Sequence, residues 1–191
     1  LRLPVVRAAI GAAHELIDDS ATKEISTSQL EMVSLICDSL AMVRSQLDLL
    51  RRTAVEAAAL HGCRVLAAGT HPFSSWRDQR MTPGETYDLL VSRWGLLARQ
   101  QLITAQHVHV GVPADLAIPV LDRIGPDLPL LLAMSASSPF WEGEDTGYAS
   151  YRSMWFSRWP IVGTLPVLGT REAYDELTAS LIATGIAESP S

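Results

Sequence analysis

The sequence predicts an α+β fold in which an antiparallel sheet carries helices on one face and a functional site on the other. Two segments, residues 25–36 and 103–111, alternate with a period of two, so polar side chains share one face and apolar ones the opposite face. Between and after them lie stretches with the apolar spacing and end signals of helices. A strand with an apolar back and a polar front needs a helical layer behind it and nothing in front. That requirement is the α+β layer arrangement.

The elements follow in order. Residues 4–17 carry a short helical pattern. In the strand over 25–36, Thr27, Gln29 and Glu31 are polar while Leu30 and Met32 face the other way. Asp38 or Ser39 caps a long helix with Leu40, Val43, Leu47, Leu50 and Val55 on one stripe and Gly62 as its stop. Residues 64–69 read as a short buried strand that runs into the loop Thr70-His71-Pro72-Phe73.

Pro83 opens the next helix, expected to run to about Arg99. The histidine strand occupies 103–111. A helix over 113–124 is expected to kink at Pro119, and 128–138 is a helix apolar enough to be central. Residues 139–169 are rich in Gly, Pro, Ser and aromatics, and irregular stretches of that length in compact domains are usually functional. A last helix covers 172–183.

Composition narrows the function. With 191 residues, 48% hydrophobic and 19% charged, the chain has a globular balance and can bury a sizeable core. A net charge of -6 leaves no basic stripe to neutralise phosphates, which excludes a nucleic-acid surface. Arg51-Arg52 falls inside a helical pattern and reads as a solvated face. Cys37 and Cys63 have neither zinc-knuckle nor redox-pair spacing; they read as buried free thiols in a reducing cytoplasm. The longest apolar stretch, 128–136, contains Pro129 and is too short to span a bilayer. The start has no charged segment followed by an apolar one, so the expectation is a cytoplasmic protein without a membrane partner.

The densest chemistry lies in Gln106-His107-Val108-His109-Val110-Gly111. A strand here sends both imidazoles to one face, where they can hold a metal or touch a phosphate, or simply meet solvent. A binuclear zinc amidohydrolase would need further histidines downstream. Of the five (His14, His61, His71, His107, His109), none follows His109. Glu31 is a lone acid in its strand, either a surface carboxylate or a ligand for a hard cation. Glutamate with histidine suits Mg2+ or Mn2+ better than Zn2+. There is no GxxxxGK[ST] and no GxGxxG, so ATP, if bound, must be held by metal ions and arginines. Arg152, at the end of the loop 143–152 within the irregular stretch, offers such a guanidinium, with a loop-pinning role as the plain alternative. His71 either orients a ligand or caps a turn. The five tryptophans are scattered and read as core or loop anchors.

Together, five segments resemble the glutamate–cysteine ligase type 2 family, the carboxylate–amine ligases. They are Gln29-Leu30-Glu31, Ala68-Gly69-Thr70-His71-Pro72-Phe73, Gln106-His107-Val108-His109-Val110-Gly111, Ser135-Ala136-Ser137-Ser138-Pro139 and Gly143-Glu144-Asp145-Thr146-Gly147-Tyr148-Ala149-Ser150-Tyr151-Arg152, in the family's order. The resemblance implies a glutamine-synthetase-like antiparallel sheet and ATP-dependent formation of γ-glutamylcysteine from L-glutamate and L-cysteine through an acyl phosphate. It implies Glu31 and His107 as ligands of Mg2+ or Mn2+, Arg152 and His109 as catalytic groups, and Arg152, Ser150 and His71 as nucleotide-binding groups. Amino acids are the implied partners, and a homo-oligomer is compatible with the sequence.

Members of that family open with a Gly-Val-Glu-Glu-Glu strand and continue into further strands, and neither is found in these 191 residues. The resemblance therefore implies a single partial catalytic domain over 1–191. Its sheet edge would be exposed, and its ligase activity in isolation weak or absent. Two alternatives stand beside the ligase: a non-catalytic remnant or interaction subunit, and a metal-dependent amidohydrolase.

Overall fold

The structure is a computed structural model and describes residues 21–160, 162–163 and 166–187; the helix expected over 4–17 lies outside the described residues. It is a mixed α+β arrangement of helices and small antiparallel sheets. Strands β1 (Ala21–Lys23) and β2 (Leu30–Met32) pair antiparallel, with Ala21 opposite Met32, Thr22 opposite Glu31 and Lys23 opposite Leu30. Helix α1 (Leu40–Ala59) covers one face of this pair. Ala57 meets Ala21 in a buried contact, and Leu30 and Met32 pack against both. The opposite face carries Thr22 and Glu31, as period-two alternation requires. The predicted division into apolar back and polar front is therefore present, on a strand much shorter than the 25–36 expected.

Local chemistry sets the helix ends. Ser39 caps α1, its hydroxyl accepting the Met42 N–H at 3.3 Å, and Gly62 follows the helix with φ +67°. The stretch from Pro83 to Arg99 divides into α2 (Glu85–Trp94) and α3 (Leu96–Arg99). Gly95 makes the break with φ +52°, a conformation a side chain resists. A short 3₁₀ turn, Ala114–Leu116, leads into α4 (Ala117–Ile124). The kink expected at Pro119 has no physical basis there. Pro119 lies in the first turn of α4, where a missing N–H costs no helical hydrogen bond.

Helix α5 (Leu128–Ser135) starts with Pro129 in its first turn. It is apolar, as predicted, but not central, since Leu130, Leu131, Leu132 and Met134 are exposed. The irregular stretch contains a tight hairpin of β3 (Phe140–Trp141) and β4 (Glu144–Asp145), then α6 (Tyr151–Phe156). Helix α7 (Arg171–Ala183) begins at a Thr170 cap. Arg51 and Arg52 are exposed, as expected, whereas Cys37 and Cys63 are half-buried free thiols and not fully buried ones. Among the described residues no helix is long and apolar enough to cross a membrane.

Two predicted strands do not form among the described residues. Among these, residues 64–68 and 104–112 carry no strand pairing, and the histidine segment has a backbone bridge only at its start, where Ile103 meets Thr70. A strand exists only where its backbone donors and acceptors meet a partner, which alternation does not supply.

Candidate active site

Side-chain and isolated backbone bonds draw the motif segments together. The buried Gln29 donates from Nε2 to the Ile103 carbonyl at 2.5 Å. Ile103 pairs with Thr70, and the Thr104 N–H donates to Gly69 O at 3.0 Å. Thr70 in turn donates its hydroxyl to Phe140 O at 2.8 Å, and Gly143 N–H donates to Pro72 O at 2.8 Å. On the far side, Ser138 runs parallel to Ser150, with Ser138 N–H to Ala149 O at 3.1 Å and Tyr151 N–H to Ser138 O at 2.9 Å. The spatial order is thus 29, 103, 70, 138–140, 150. Segments far apart in sequence become neighbours.

Arg152 stands at the junction of three of them. Its backbone N–H donates to Ser138 Oγ at 3.1 Å, and its side-chain stem lies against Gly69. The guanidinium stacks over the Phe156 ring, 5.3 Å from its centroid. Nε is buried with no hydrogen-bond partner among the described residues, and burial lowers the guanidinium pKa from its usual value. A partly desolvated cation with an unused buried donor is suited to meet an oxyanion. Ser150, half-buried, occupies the N-cap position of α6 without making the side-chain cap bond, and its carbonyl accepts from the Ser153 hydroxyl at 2.8 Å.

His71 lies one residue from Thr70 and is half-buried. Its Nδ1 accepts the backbone N–H groups of Ser74 at 3.0 Å and Phe73 at 3.4 Å, so it caps this turn. Burial lowers its pKa and favours the neutral ring whose Nδ1 can accept. The structure therefore places Arg152, Ser150 and His71 around connected segments.

The expected metal pair is different. Glu31 Oε2 accepts the Thr22 hydroxyl at 2.6 Å across the β1–β2 pair. Its charge also acts on Tyr87, whose phenol donates to Lys23 O at 2.7 Å. Burial, then Glu24, then Glu31 raise the Tyr87 pKa. His107 and His109 are exposed on a segment without strand pairing, their ring centroids 6.2 Å apart, and among the described residues no hydrogen bond or ion pair joins them to Glu31. Among the described residues no group of three or more His, Cys, Asp or Glu could hold a metal ion. Because Mg2+ demands near-octahedral oxygen coordination, Glu31 and His107 do not by themselves fit one.

The sequence reading missed several groups. Thr22 and Tyr87 interact with Glu31, and Glu24 acts on Tyr87, yet all three lie in segments with no motif of their own. Glu142 was also passed over. It has φ +49° in the β3–β4 turn, accepts a short hydrogen bond from the Ser75 hydroxyl and lies 3.5 Å from Arg77. Glu142-Gly143 between Phe140-Trp141 and Glu144-Asp145 is a two-residue hairpin turn with positive φ at both central positions. The aromatic residues, by contrast, serve as the expected anchors: Trp141 stacks on the buried Trp155 at 6.4 Å, and Tyr151 lies 5.7 Å from Trp141.

The family model described as glutamate-cysteine ligase family 2 matches residues 4–190. A protein of Mycolicibacterium smegmatis named "Putative glutamate--cysteine ligase 2-2" is 38% identical over 173 residues, covering 90% of this chain and 44% of that protein. "Putative glutamate--cysteine ligase 2" of Rhodospirillum rubrum is 38% identical over 170 residues, 88% of this chain and 44% of that protein. The like-named protein of Thermobifida fusca is 39% identical over 163 residues, 85% of this chain and 41% of that one. The chain thus spans less than half the length of these relatives. Since the family match runs through every segment that converges on Arg152, the chain belongs to glutamate–cysteine ligase family 2.

Proposed function

We propose that this chain contributes the phosphoryl-facing part of an ATP-dependent carboxylate–amine ligase that joins L-glutamate to L-cysteine. The observation that carries the reading is Arg152. Its half-buried guanidinium, with a buried Nε that has no partner among the described residues, sits where the segments around Gly69, Ser138 and Ser150 meet. In the proposed reaction the γ-carboxylate of glutamate attacks the γ-phosphorus of ATP, ADP leaves, and an acyl phosphate forms. The amine of cysteine then attacks the acyl carbon, phosphate departs and the nitrogen loses a proton. Negative charge gathers on phosphoryl oxygens in both steps, and a guanidinium in a poorly solvated site is what lowers that cost.

In this scheme Arg152 binds and neutralises the phosphoryl or acyl-phosphate oxygens, with Ser150 and His71 on the nucleotide side and His109 beside the reacting groups. Glu31 and His107 are too few to hold Mg2+ or Mn2+ alone, and no step is assigned to a metal. Support comes from the family membership and from the convergence on Arg152. The test is ADP release with glutamate and cysteine, run on the 191-residue chain and on the gene product that contains it. Amine-dependent ADP formation by the gene product is expected, weak or absent for the chain alone. No such formation with any amino-acid pair overturns the reading in favour of a non-catalytic member of the family.

A further inference from the structure

We infer that Gly69 and Ser138 are positioning residues for Arg152: together they form a socket that fixes where its guanidinium lies. The inference deepens the ligase reading and rests on it for the role of the guanidinium, but the socket itself stands on geometry. A Cβ at Gly69 would lie 3.2 Å from both Cβ and Oγ of Ser138 and 3.3 Å from Cδ of Arg152. Those distances are tighter than most Cβ contacts, so a side chain here would push Ser138 and Arg152 outward by a few tenths of an ångström, whereas glycine lets both close over this piece of backbone. Of the described glycines, most would place an added Cβ in open space, which makes the crowding at Gly69 specific.

Ser138 holds the other side. It is 2% exposed, and its backbone and hydroxyl bind the Arg152 segment at three points: Ala149 O, Tyr151 N–H and Arg152 N–H. These bonds fix the start of α6, and with it the Cα of Arg152. Gly69 is fixed in turn through Thr104, whose N–H donates to its carbonyl at 3.0 Å. The stem of Arg152 is therefore clamped between two anchored backbones before the guanidinium begins. Phe156 limits the remaining freedom by stacking under the guanidinium. A side chain held this way loses little further entropy on binding an oxyanion, the condition for strong pre-organised stabilisation. The ligand class is an oxyanion, borne by a phosphoryl group or by an amino-acid carboxylate.

Arginine modification by phenylglyoxal, mapped by peptide mass spectrometry on the 191-residue chain, tests the socket without any need for turnover. In the native chain Arg152 should react several-fold more slowly than Arg44, which is exposed on α1. Gly69→Ala should raise the Arg152 rate several-fold and leave the Arg44 rate and the circular dichroism unchanged. Ser138→Ala, which removes an acceptor and adds no atoms, should do the same and serves if Gly69→Ala fails to fold. Gly125→Ala, where an added Cβ meets nothing within 4 Å, is the control and should leave Arg152 as in the native chain. Inorganic pyrophosphate and L-glutamate are then added separately; protection of Arg152 by one and not the other identifies the source of the oxyanion. In the ADP assay Gly69→Ala should lower kcat and leave KM for the amine unchanged. Equal Arg152 reactivity in the native, Gly69→Ala and Ser138→Ala proteins overturns the socket, whatever the ADP assay gives. Absence of ADP formation with the Arg152 differences intact overturns the ligase reading and leaves the socket standing.

Discussion

Gln29 reaches across the chain to Ile103, donating Nε2–H to its carbonyl at 2.5 Å while Oε1 accepts the Ser26 N–H at 3.2 Å. One buried amide thereby closes the turn that precedes β2 and ties it to the segment leading to the histidines. Replacing it with leucine keeps the bulk but leaves the buried Ser26 N–H and Ile103 carbonyl without this partner. An unsatisfied buried backbone group costs about 1–3 kcal/mol, so Gln29→Leu should lower unfolding stability by about that amount. Urea unfolding followed by tryptophan fluorescence measures it, and a change within about 0.5 kcal/mol would show that the bond does not hold the two segments together.

Leu50 and Leu130 give a paired prediction about where the core lies. Leu50 on α1 is 4% exposed, and Leu130 on α5 is 61% exposed. Leu50→Ala should cost about 2–5 kcal/mol, since it removes buried methyl groups and leaves a cavity. Leu130→Ala should stay within about 0.5 kcal/mol. Equal losses would place α5 in a core that the structure does not give it.

His71 makes stability depend on pH in a defined direction. Burial lowers its pKa below the usual 6.5, so near and below that value the unfolded chain binds more protons than the folded one. The contribution is present above pH 6.5 and is lost as pH falls through the folded-state value. Unfolding free energy should decline on acidification below 6.5, and His71→Asn should flatten that part of the profile. An unchanged slope in the variant would remove His71 from the account.

Arg152→Lys keeps a positive charge but loses the planar fork and the buried Nε. If the guanidinium meets phosphoryl oxygens, amine-dependent ADP release by the gene product should fall by roughly a hundredfold or more, with the larger part in kcat. A variant with native kcat would show that charge near the site suffices and that the fork has no role in the transition state.

Much of this could be read from the chain because it is decided locally. The Ser39 cap, the length of α1, the stop at Gly62 and the last helix depend on residues a few positions apart, and all appear as expected. The alternation through Leu30, Glu31 and Met32 likewise fixed which side chains face α1. Gly95 was missed because apolar spacing continues on both sides of it, and only its positive φ reveals two helices. Tyr87 was missed as a neighbour of Glu31 because α2 reaches β1 through the bond from its phenol to the Lys23 carbonyl, not through spacing in the chain.

His107 and His109 show the boundary most clearly. The sequence by itself supplied only the expectation that they share a face, which holds for a strand, and among the described residues no strand forms over 104–112. The sequence did determine the family, because the order of the five motifs survives in the chain. The tertiary structure alone decided that, among the described residues, this segment pairs only at Ile103, that both imidazoles are exposed, and that Gly69, Ser138 and Arg152 meet. Backbone hydrogen bonds and close packing between distant segments require partners brought from elsewhere, and no local pattern carries that information.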